Sequence, residues 1–389
     1  MKVDSLTNEQ LRIKAIELYT NKWKISDICS ALHCSKSWFH KWLVRFKTDG
    51  PNWYKEQSRA PKTVNKKTTS EMEQLVLKTR KHLVAEPFYQ YGPQAIFYNI
   101  AKKGIAPPPV WGIARILKRH KLSHTKRSTP YIAKGKNYPY GYGNCQQLDF
   151  VGPRYLHSKV RFYFNSLICC DTHFAQLSAV NNQSSDTVCK CLTCFWKIAG
   201  IPDFLQMDNY LSFWGSLIKP NALGKVIRLC LLHNVVPVFI PLKEPWRNGI
   251  VEHFNKTMQN AILKSATYKT VEDVQTASNR FCTMHNTTHH YSTQGGKTPT
   301  QCQEYLEYPF AQLNKSYILP EVPLPLEVGE VHVIRFIKSD LKFNIFGLTY
   351  LLPKETVYEY IKGVIITHEH RLIIFKGQEY VTEFQFILY

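Results

Sequence analysis

The sequence contains no apolar run long enough to cross a bilayer and no recognisable signal peptide. Acidic residues are scarce, because 29 Asp and Glu stand against 50 Lys and Arg, which gives a net charge of +21. The first two absences argue against a membrane or secreted protein, and the third predicts a polyanionic partner. No acylation signal or lipid-binding amphipathic helix is evident. We therefore expect a nucleic-acid partner and a cytoplasmic location.

A paired-cysteine framework is also missing. The eleven cysteines are an odd number and lie mostly in apolar surroundings, which is typical of a reducing compartment. Cys189, Cys191 and Cys194 come closest to a metal motif. They fall on a predicted helix where Cys189 would point away from the other two, and no nearby histidine completes a tetrahedral set. Buried thiols are the favoured interpretation, with a zinc site as the alternative.

The positive charge is concentrated near the N-terminus. Residues 1–140 contain 27 Lys and Arg against 9 Asp and Glu, a net of +18, whereas residues 141–389 contain 23 against 20, a net of +3. A length of 389 residues allows two to four domains. We therefore expect units that bind double-stranded DNA in the N-terminal third and a different activity in the nearly neutral remainder.

Residues 1–50 show the pattern of a helix-turn-helix domain. Two short amphipathic segments precede a tight turn at His33–Cys34, and Ser35 can cap a third helix that contains several aromatic residues. An ordinary three-helix packing unit with a solvated basic face is the alternative. The polar positions of the third helix that we expect to face DNA are Lys36, Ser37, His40, Lys41 and Arg45.

A basic linker and a second helical unit follow. Residues 51–69 are polar and basic, and Arg59 is a candidate to bind in a narrow minor groove of DNA. A solvated tether is nearly as good an explanation of this composition. Residues 70–124 contain three helical segments, and Arg115 and Lys118 near the end of the last one are predicted to bind DNA. A preference of basic residues for a helix C-terminus would also explain them. Residues 125–143 lack periodicity and form a connector.

Residues 144–305 predict a mixed α/β unit with five strands. Asp149 and Asp208 accompany apolar runs that are typical of strands, and Glu252 opens an amphipathic helix. Strand ends and one helix could bring the three carboxylates to one rim of the sheet. Asp171 also follows an apolar run, but it leads straight into the next strand and is interpreted as a turn residue.

Clustered carboxylates on a basic protein suit metal-dependent phosphoryl transfer on nucleic acid. Two divalent ions, Mg²⁺ or Mn²⁺, can activate the attacking oxygen and stabilise the leaving one. In this arrangement Asp149 bridges the two ions, and Asp208 and Glu252 each bind one of them. For each aspartate alone, a turn or cap role is the alternative.

Residues beside the predicted third carboxylate are expected to meet DNA. Arg247, Asn248 and Lys256 flank it in the sequence. Trp246 could stack on a base or simply pack, and the sequence does not favour either.

Four segments resemble DDE transposases of bacterial insertion sequences with a retroviral-integrase-type core. LQMDNYLSFW is similar to the family's Asp-Asn-Gly…Phe segment, and EPWRNGIVEHFNKTM resembles its Pro…Asn-Gly…Val-Glu…Asn segment. KEQSRAPKT resembles a linker motif between helix-turn-helix units, and HHYSTQGGKTPTQ resembles the segment that closes the core. The resemblance covers most of residues 7–305. It implies an RNase H-like fold, a catalytic triad at Asp149, Asp208 and Glu252, and a bacterial, nucleoid-associated protein.

The chain departs from the family pattern in two places. Tyr210 follows Asp-Asn where the family usually has glycine, and 43 residues separate Asp208 from Glu252, somewhat more than usual. The C-terminal residues 322–389 contain about five short β-rich runs, which suggest a small SH3-like barrel of the kind the family often carries. Such a barrel could bind DNA, bind a second protomer or only stabilise the protein.

Three functions are consistent with the sequence. The first is a transposase that nicks element ends and joins the free 3′-OH to target DNA, acting as a homo-oligomer on DNA. The second is a decayed or repurposed transposase that binds specific DNA without catalysis, for which Tyr210 is the main support. A plain RNase H-like nuclease is disfavoured by the two N-terminal DNA-binding units.

Overall fold

The computed structural model describes residues 6–57, 68–123, 138, 143–219, 221–306 and 311–389. Its internal contacts divide the chain into two compact units, Met1–Lys67 and Thr68–Tyr389. The predicted linker position Arg59 lies outside the described residues. The two units are therefore described one at a time.

The first unit is a small bundle of three helices. Its helices are α1 (Asn8–Thr20), α2 (Ile25–Ala31) and α3 (Lys36–Thr48). Ser35 caps α3 as expected, because its side chain accepts a hydrogen bond from the backbone N–H of Trp38 at 3.1 Å. The shared core consists of Ala15, Ile16, Ile28, Leu32, Phe39 and Leu43.

Three further helices begin the second unit. They are α4 (Ser70–Ala85), α5 (Pro93–Ala101) and α6 (Val110–Arg119). This bundle packs directly on the rest of the unit, because the ring of Phe88 contacts Phe281 edge to face and Tyr98 stacks on His290 with ring centroids 3.6 Å apart.

A mixed sheet forms the centre of the second unit. Strands β1 (Cys145–Tyr155), β2 (Arg161–Cys169) and β3 (Ala175–Val180) form an antiparallel meander, and β4 (Phe204–Met207) and β5 (Val236–Phe239) run parallel to β1. The intervening helices are α7 (Ser185–Ala199), α8 (Leu211–Trp214), α9 (Lys225–Leu232), α10 (Gly249–Met258), α11 (Val271–Thr288) and α12 (Pro299–Glu304).

Helices cover both faces of this sheet. Leu148 and Leu167 pack on α7 and α9 in one buried cluster, while Val151 and Phe164 pack on α10 and α11 in another. The two clusters follow from strand alternation, since successive side chains point to opposite faces. A sheet buried on both sides leaves its strand ends as the place where polar groups can meet solvent.

The C-terminal strands extend the same sheet. They are β6 (Glu330–Phe336), β7 (Lys342–Ile345), β8 (Leu348–Leu351), β9 (Tyr360–Ile366), β10 (Arg371–Lys376) and β11 (Glu379–Gln385). β6 pairs in parallel with β5, and the order in the described sheet is β11-β10-β9-β6-β5-β4-β1-β2-β3, with β7 and β8 as a separate hairpin.

This arrangement corrects the expectation of a separate C-terminal barrel beside a five-stranded core sheet. The expected five strands are neighbours in the order β5-β4-β1-β2-β3, but the edge of β5 is not free. Val331 and Val333 of β6 belong to the same buried cluster as the core helices α7 and α9. The C-terminal segment is therefore part of the hydrophobic core of the second unit.

Candidate active site

Asp149 and Asp208 lie side by side at the carboxyl end of β4. β1 and β4 pair in parallel register, with Gln147 opposite Gln206. The same register, continued by two residues, brings Asp149 beside Asp208, which directly follows the last residue of β4. The fold thus joins two residues that are distant in the sequence.

Burial raises the pKa of both aspartates. For Asp149 the pKa rises to about 7, with burial as the largest cause and the negative charge of Asp208 as the next. Burial also raises the pKa of Asp208, although the backbone N–H of Tyr210 donates to its Oδ1 at 3.0 Å and acts in the opposite direction. A bound cation would favour the charged forms of both groups.

Glu252 lies in the first turn of α10 and is half-buried. Burial raises its pKa, and its charge contributes to the raised pKa of Asp149. Within the part of the chain that the structure describes, no three His, Cys, Asp or Glu side chains form a group that could hold one metal ion. The structure thus places Glu252 within electrostatic range of Asp149 without gathering all three carboxylates around one point. Asn255, one turn further on, donates from Nδ2 to Asp149 Oδ2 at 2.7 Å.

Two buried glutamines hold α10 and the turn before it against the strands. Gln147 Oε1 accepts a hydrogen bond from the backbone N–H of Val251 at 2.9 Å, and Gln206 Nε2 donates to the carbonyl of Arg247 at 2.8 Å. Each glutamine lies two positions before a site aspartate, so it faces the same side of the sheet. Neither glutamine was predicted as a site residue, although the spacing of two positions before each aspartate is a signal in the sequence.

The residues beside Glu252 differ in their access to solvent. Asn248 is buried and donates from Nδ2 to the Leu148 carbonyl at 3.0 Å, so the structure places this predicted DNA contact in the protein interior. Arg247 pairs with Glu244 at 3.0 Å, while Lys256 is exposed. Trp246 is also exposed, which leaves its ring available for stacking.

The backbone of Tyr210 has an ordinary conformation. Its φ of −66° and ψ of 140° are open to any residue, so this turn does not need the glycine that the family usually carries. The tyrosine hydroxyl donates to Gln183 Oε1 at 2.7 Å, and its ring contacts Phe150 and Phe213. Because the side chain remains 42% exposed, it forms part of the wall beside Asp208.

Two other groups of predicted residues lie away from this site. Asp171 is exposed in the turn between β2 and β3, where its carbonyl accepts a hydrogen bond from Gln294. Cys189 and Cys191 of α7 are buried, and Cys194 is exposed.

The predicted DNA-facing residues of the helical bundles are mostly exposed. In α3 Arg45 is half-buried, with its guanidinium 4.7 Å from the Trp42 ring centroid. Arg115 of α6 is exposed and lies 4.8 Å from the ring centroid of Trp111. The remaining exposed positions are Lys36, Ser37, His40 and Lys41 of α3 and Lys118 of α6.

Two stretches of the chain match known domain families. Residues 6–52 match a homeodomain-like domain, and residues 233–299 match an integrase core domain. The second stretch contains β5, α10 and Glu252. These matches support the resemblance to DDE transposases and integrases, because the chain contains a homeodomain-like domain near its N-terminus and an integrase core domain in the second unit. None of the described helices is long and apolar enough to cross a membrane.

Solved integrase structures are also similar to this chain. The HTLV-2 integrase catalytic core domain, solved in complex with magnesium, has 18% identity and a TM-score of 0.31 over 41% of this chain and 94% of its own. The BIV integrase core has 14% identity and a TM-score of 0.31 over 41% and 91%. The simian T-cell lymphotropic virus intasome with a PP2A regulatory subunit has 12% identity and a TM-score of 0.37 over 76% and 97%. No curated protein matches the chain.

Proposed function

We propose that the protein is a transposase that binds the ends of a mobile DNA element and catalyses DNA cleavage and strand transfer. The observation that carries this proposal is the pair Asp149 and Asp208, held in register on adjacent strands with their carboxyl pKa values raised. In this proposal β1–β5 form the RNase H-like catalytic core, and the homeodomain-like unit recognises the element ends in double-stranded DNA.

The donor set suits magnesium or manganese. Asp149, Asp208 and Glu252 offer only carboxylate oxygens, which these ions prefer. Burial raises the pKa of all three carboxyl groups, and a bound cation would offset this effect. When bound, two such ions would activate the attacking oxygen and stabilise the leaving one. No hydrogen bond in the described structure holds the Glu252 carboxylate, and we propose that its side chain rotates towards the two aspartates when metal binds.

Neighbouring residues have distinct proposed roles. Asn255 orients Asp149 through its hydrogen bond, and the glutamine contacts to α10 fix the direction from which Glu252 approaches. Lys256, exposed one turn after Glu252, is proposed to contact a DNA phosphate. Because a single triad serves one DNA end at a time, at least two protomers are proposed in the active complex.

The test uses the full chain and DNA that carries the inverted repeats flanking the gene. Asp149→Asn, Asp208→Asn and Glu252→Gln should each abolish strand transfer and leave DNA binding largely intact. Asp171→Asn is the matched control and should keep strand transfer. Full activity of Asp149→Asn would refute the proposed triad.

A second candidate is a DNA-binding protein without catalysis. The incomplete gathering of the three carboxylates is the observation that favours it. It predicts that the wild-type chain binds the repeats but neither cleaves nor joins them with magnesium or manganese. The same experiment therefore separates the two functions.

A further inference from the structure

Arg335 of β6 reaches the loop that follows Asp208. Its side chain is buried, its Nη2 donates to Asn209 Oδ1 at 2.6 Å, and its Nη1 donates to the Ile240 carbonyl at 3.0 Å. Asn209 Nδ2 donates to the same carbonyl at 2.7 Å. The guanidinium, the Asn209 amide and the residue after β5 therefore form a closed triangle of hydrogen bonds next to a site aspartate.

The burial of this arginine is costly for the fold. Burial lowers the pKa of Arg335 to about 9, so the group still carries its charge at neutral pH. Its other hydrogen bonds go to the carbonyls of Asn344 and Ile334, and no carboxylate is among the described partners. A buried cation without a carboxylate is a poor source of stability compared with an apolar side chain of similar volume. A role in fixing the positions of its neutral hydrogen-bond partners explains the presence of Arg335 better than a contribution to stability.

We propose that Arg335 is a positioning residue for Asp208. It acts through Asn209, whose side chain it locks against the end of β5, and so keeps the carboxylate of Asp208 directed at Asp149. Without the guanidinium, Asn209 Oδ1 loses its donor and the loop after β4 can turn the carboxylate away. This inference rests on the proposed function only in assigning the carboxylate pair to metal binding; the effect on the loop is independent of it.

The test compares full-length variants by two measurements other than catalysis. Hydrogen exchange monitors the backbone amides of residues 208–212, and calorimetric titration with Mn²⁺ monitors the carboxylates. Arg335→Met should speed exchange in this segment and weaken Mn²⁺ binding by about 10-fold to 100-fold, the usual range for groups that orient metal ligands. Arg335→Lys should fall between Arg335→Met and the wild type.

A matched control separates positioning from general stability. Ile374→Ala removes buried side-chain volume from β10, two strands further from the site than β6. It should lower the unfolding temperature while exchange in residues 208–212 and Mn²⁺ affinity stay near the wild-type values. If Arg335→Met does not fold, Asn209→Asp removes the Asn209 bond to the Ile240 carbonyl but keeps an acceptor for Arg335, whereas Asn209→Ala removes both bonds; faster exchange in Asn209→Ala than in Asn209→Asp then reports the contribution of Arg335.

The positioning role is overturned if Arg335→Met leaves hydrogen exchange in residues 208–212 unchanged. If Arg335→Met does not fold, the same result with Asn209→Ala overturns it. Failure of the proposed function gives a different result. In that case Mn²⁺ affinity is the same in the wild type and in Asp208→Asn, while the exchange measurement still reports on Arg335.

Discussion

Tyr210 shows how one residue can depart from a family pattern without damage to the backbone. Its conformation is ordinary, and its ring packs on Phe150 and Phe213. Tyr210→Phe removes only the hydroxyl that donates to Gln183, a hydrogen bond worth about 1 kcal/mol, so strand transfer should remain close to wild type. Tyr210→Gly should lower the unfolding temperature, because the ring contacts disappear and the loop gains conformational freedom. A large gain of strand transfer in Tyr210→Gly would instead show that the tyrosine obstructs the site.

The raised pKa of Asp149 predicts how stability depends on pH. Its pKa of about 7 in the folded protein exceeds the unfolded value of about 3.9, so the folded state binds this proton more tightly. The resulting stability is fully present below about pH 4 and is lost as the pH rises through about 7. Denaturant unfolding with EDTA at pH 5 and pH 8 should show a larger loss for the wild type than for Asp149→Asn. Equal losses would contradict the assignment.

Some site residues could be predicted from the sequence, whereas the contacts of others could not. The positions of Asp149, Asp208 and Glu252 could be named from local context, because each accompanies a recognisable strand or helix. The internal contacts of Asn248 and the burial of Arg335 depend on elements far away in the sequence, which no local pattern specifies. The apolar alternation of strands could have revealed Gln147 and Gln206, since each lies two positions before an aspartate.

At the scale of elements, α3 carries the clearest test of DNA recognition. Lys36→Ala and Lys41→Ala should each weaken binding to end DNA and reduce the slope of affinity against salt by about one, because each removes one exposed cation. Lys14→Ala on α1 is the control, since Lys14 pairs with Glu17 at 2.9 Å. Titrations by fluorescence anisotropy at several salt concentrations provide the measurement. Equal effects of all three substitutions would argue against recognition by α3.

Elements with a strong local pattern were predictable. Helix α7 begins after Ser184, which caps it, and ends at Gly200, two residue types that typically begin and end helices. The meander of β1, β2 and β3 follows from apolar runs separated by short turns. The pairing of β5 with β6 was not predictable, because about ninety residues separate the two strands. Backbone hydrogen bonds between strands do not depend on particular side chains, so neither segment has a sequence pattern that specifies its partner. For this reason the sequence suggested a separate C-terminal barrel, whereas the structure has one continuous sheet.

At the scale of the whole molecule, the continuous sheet predicts the result of a truncation. A chain that ends at residue 320 would expose the edge of β5 and the apolar side chains that β6 covers. We expect such a chain to aggregate, or to show rapid hydrogen exchange throughout β1–β5. A separate C-terminal barrel would instead leave a soluble core with slow exchange, so size-exclusion chromatography and exchange measurements decide between the two.

Assembly is tested by mixing two proteins that are impaired in different steps. One carries Asp149→Asn with an intact homeodomain-like unit, and the other carries an intact triad with Lys36→Ala and Lys41→Ala. Strand transfer should recover in the mixture if one protomer binds a DNA end while the proposed triad of its partner acts on that end. A strictly monomeric preparation with full activity on paired ends would rule this arrangement out.

The strand order has a consequence for protein synthesis. The homeodomain-like unit precedes β6 and Arg335 in the chain, so it is synthesised before them. Under the proposed function, a nascent chain would therefore be able to bind an element end before β6 has completed the sheet. Shortened products whose homeodomain-like unit stays folded and in solution would then compete with the full-length protein for the same DNA ends.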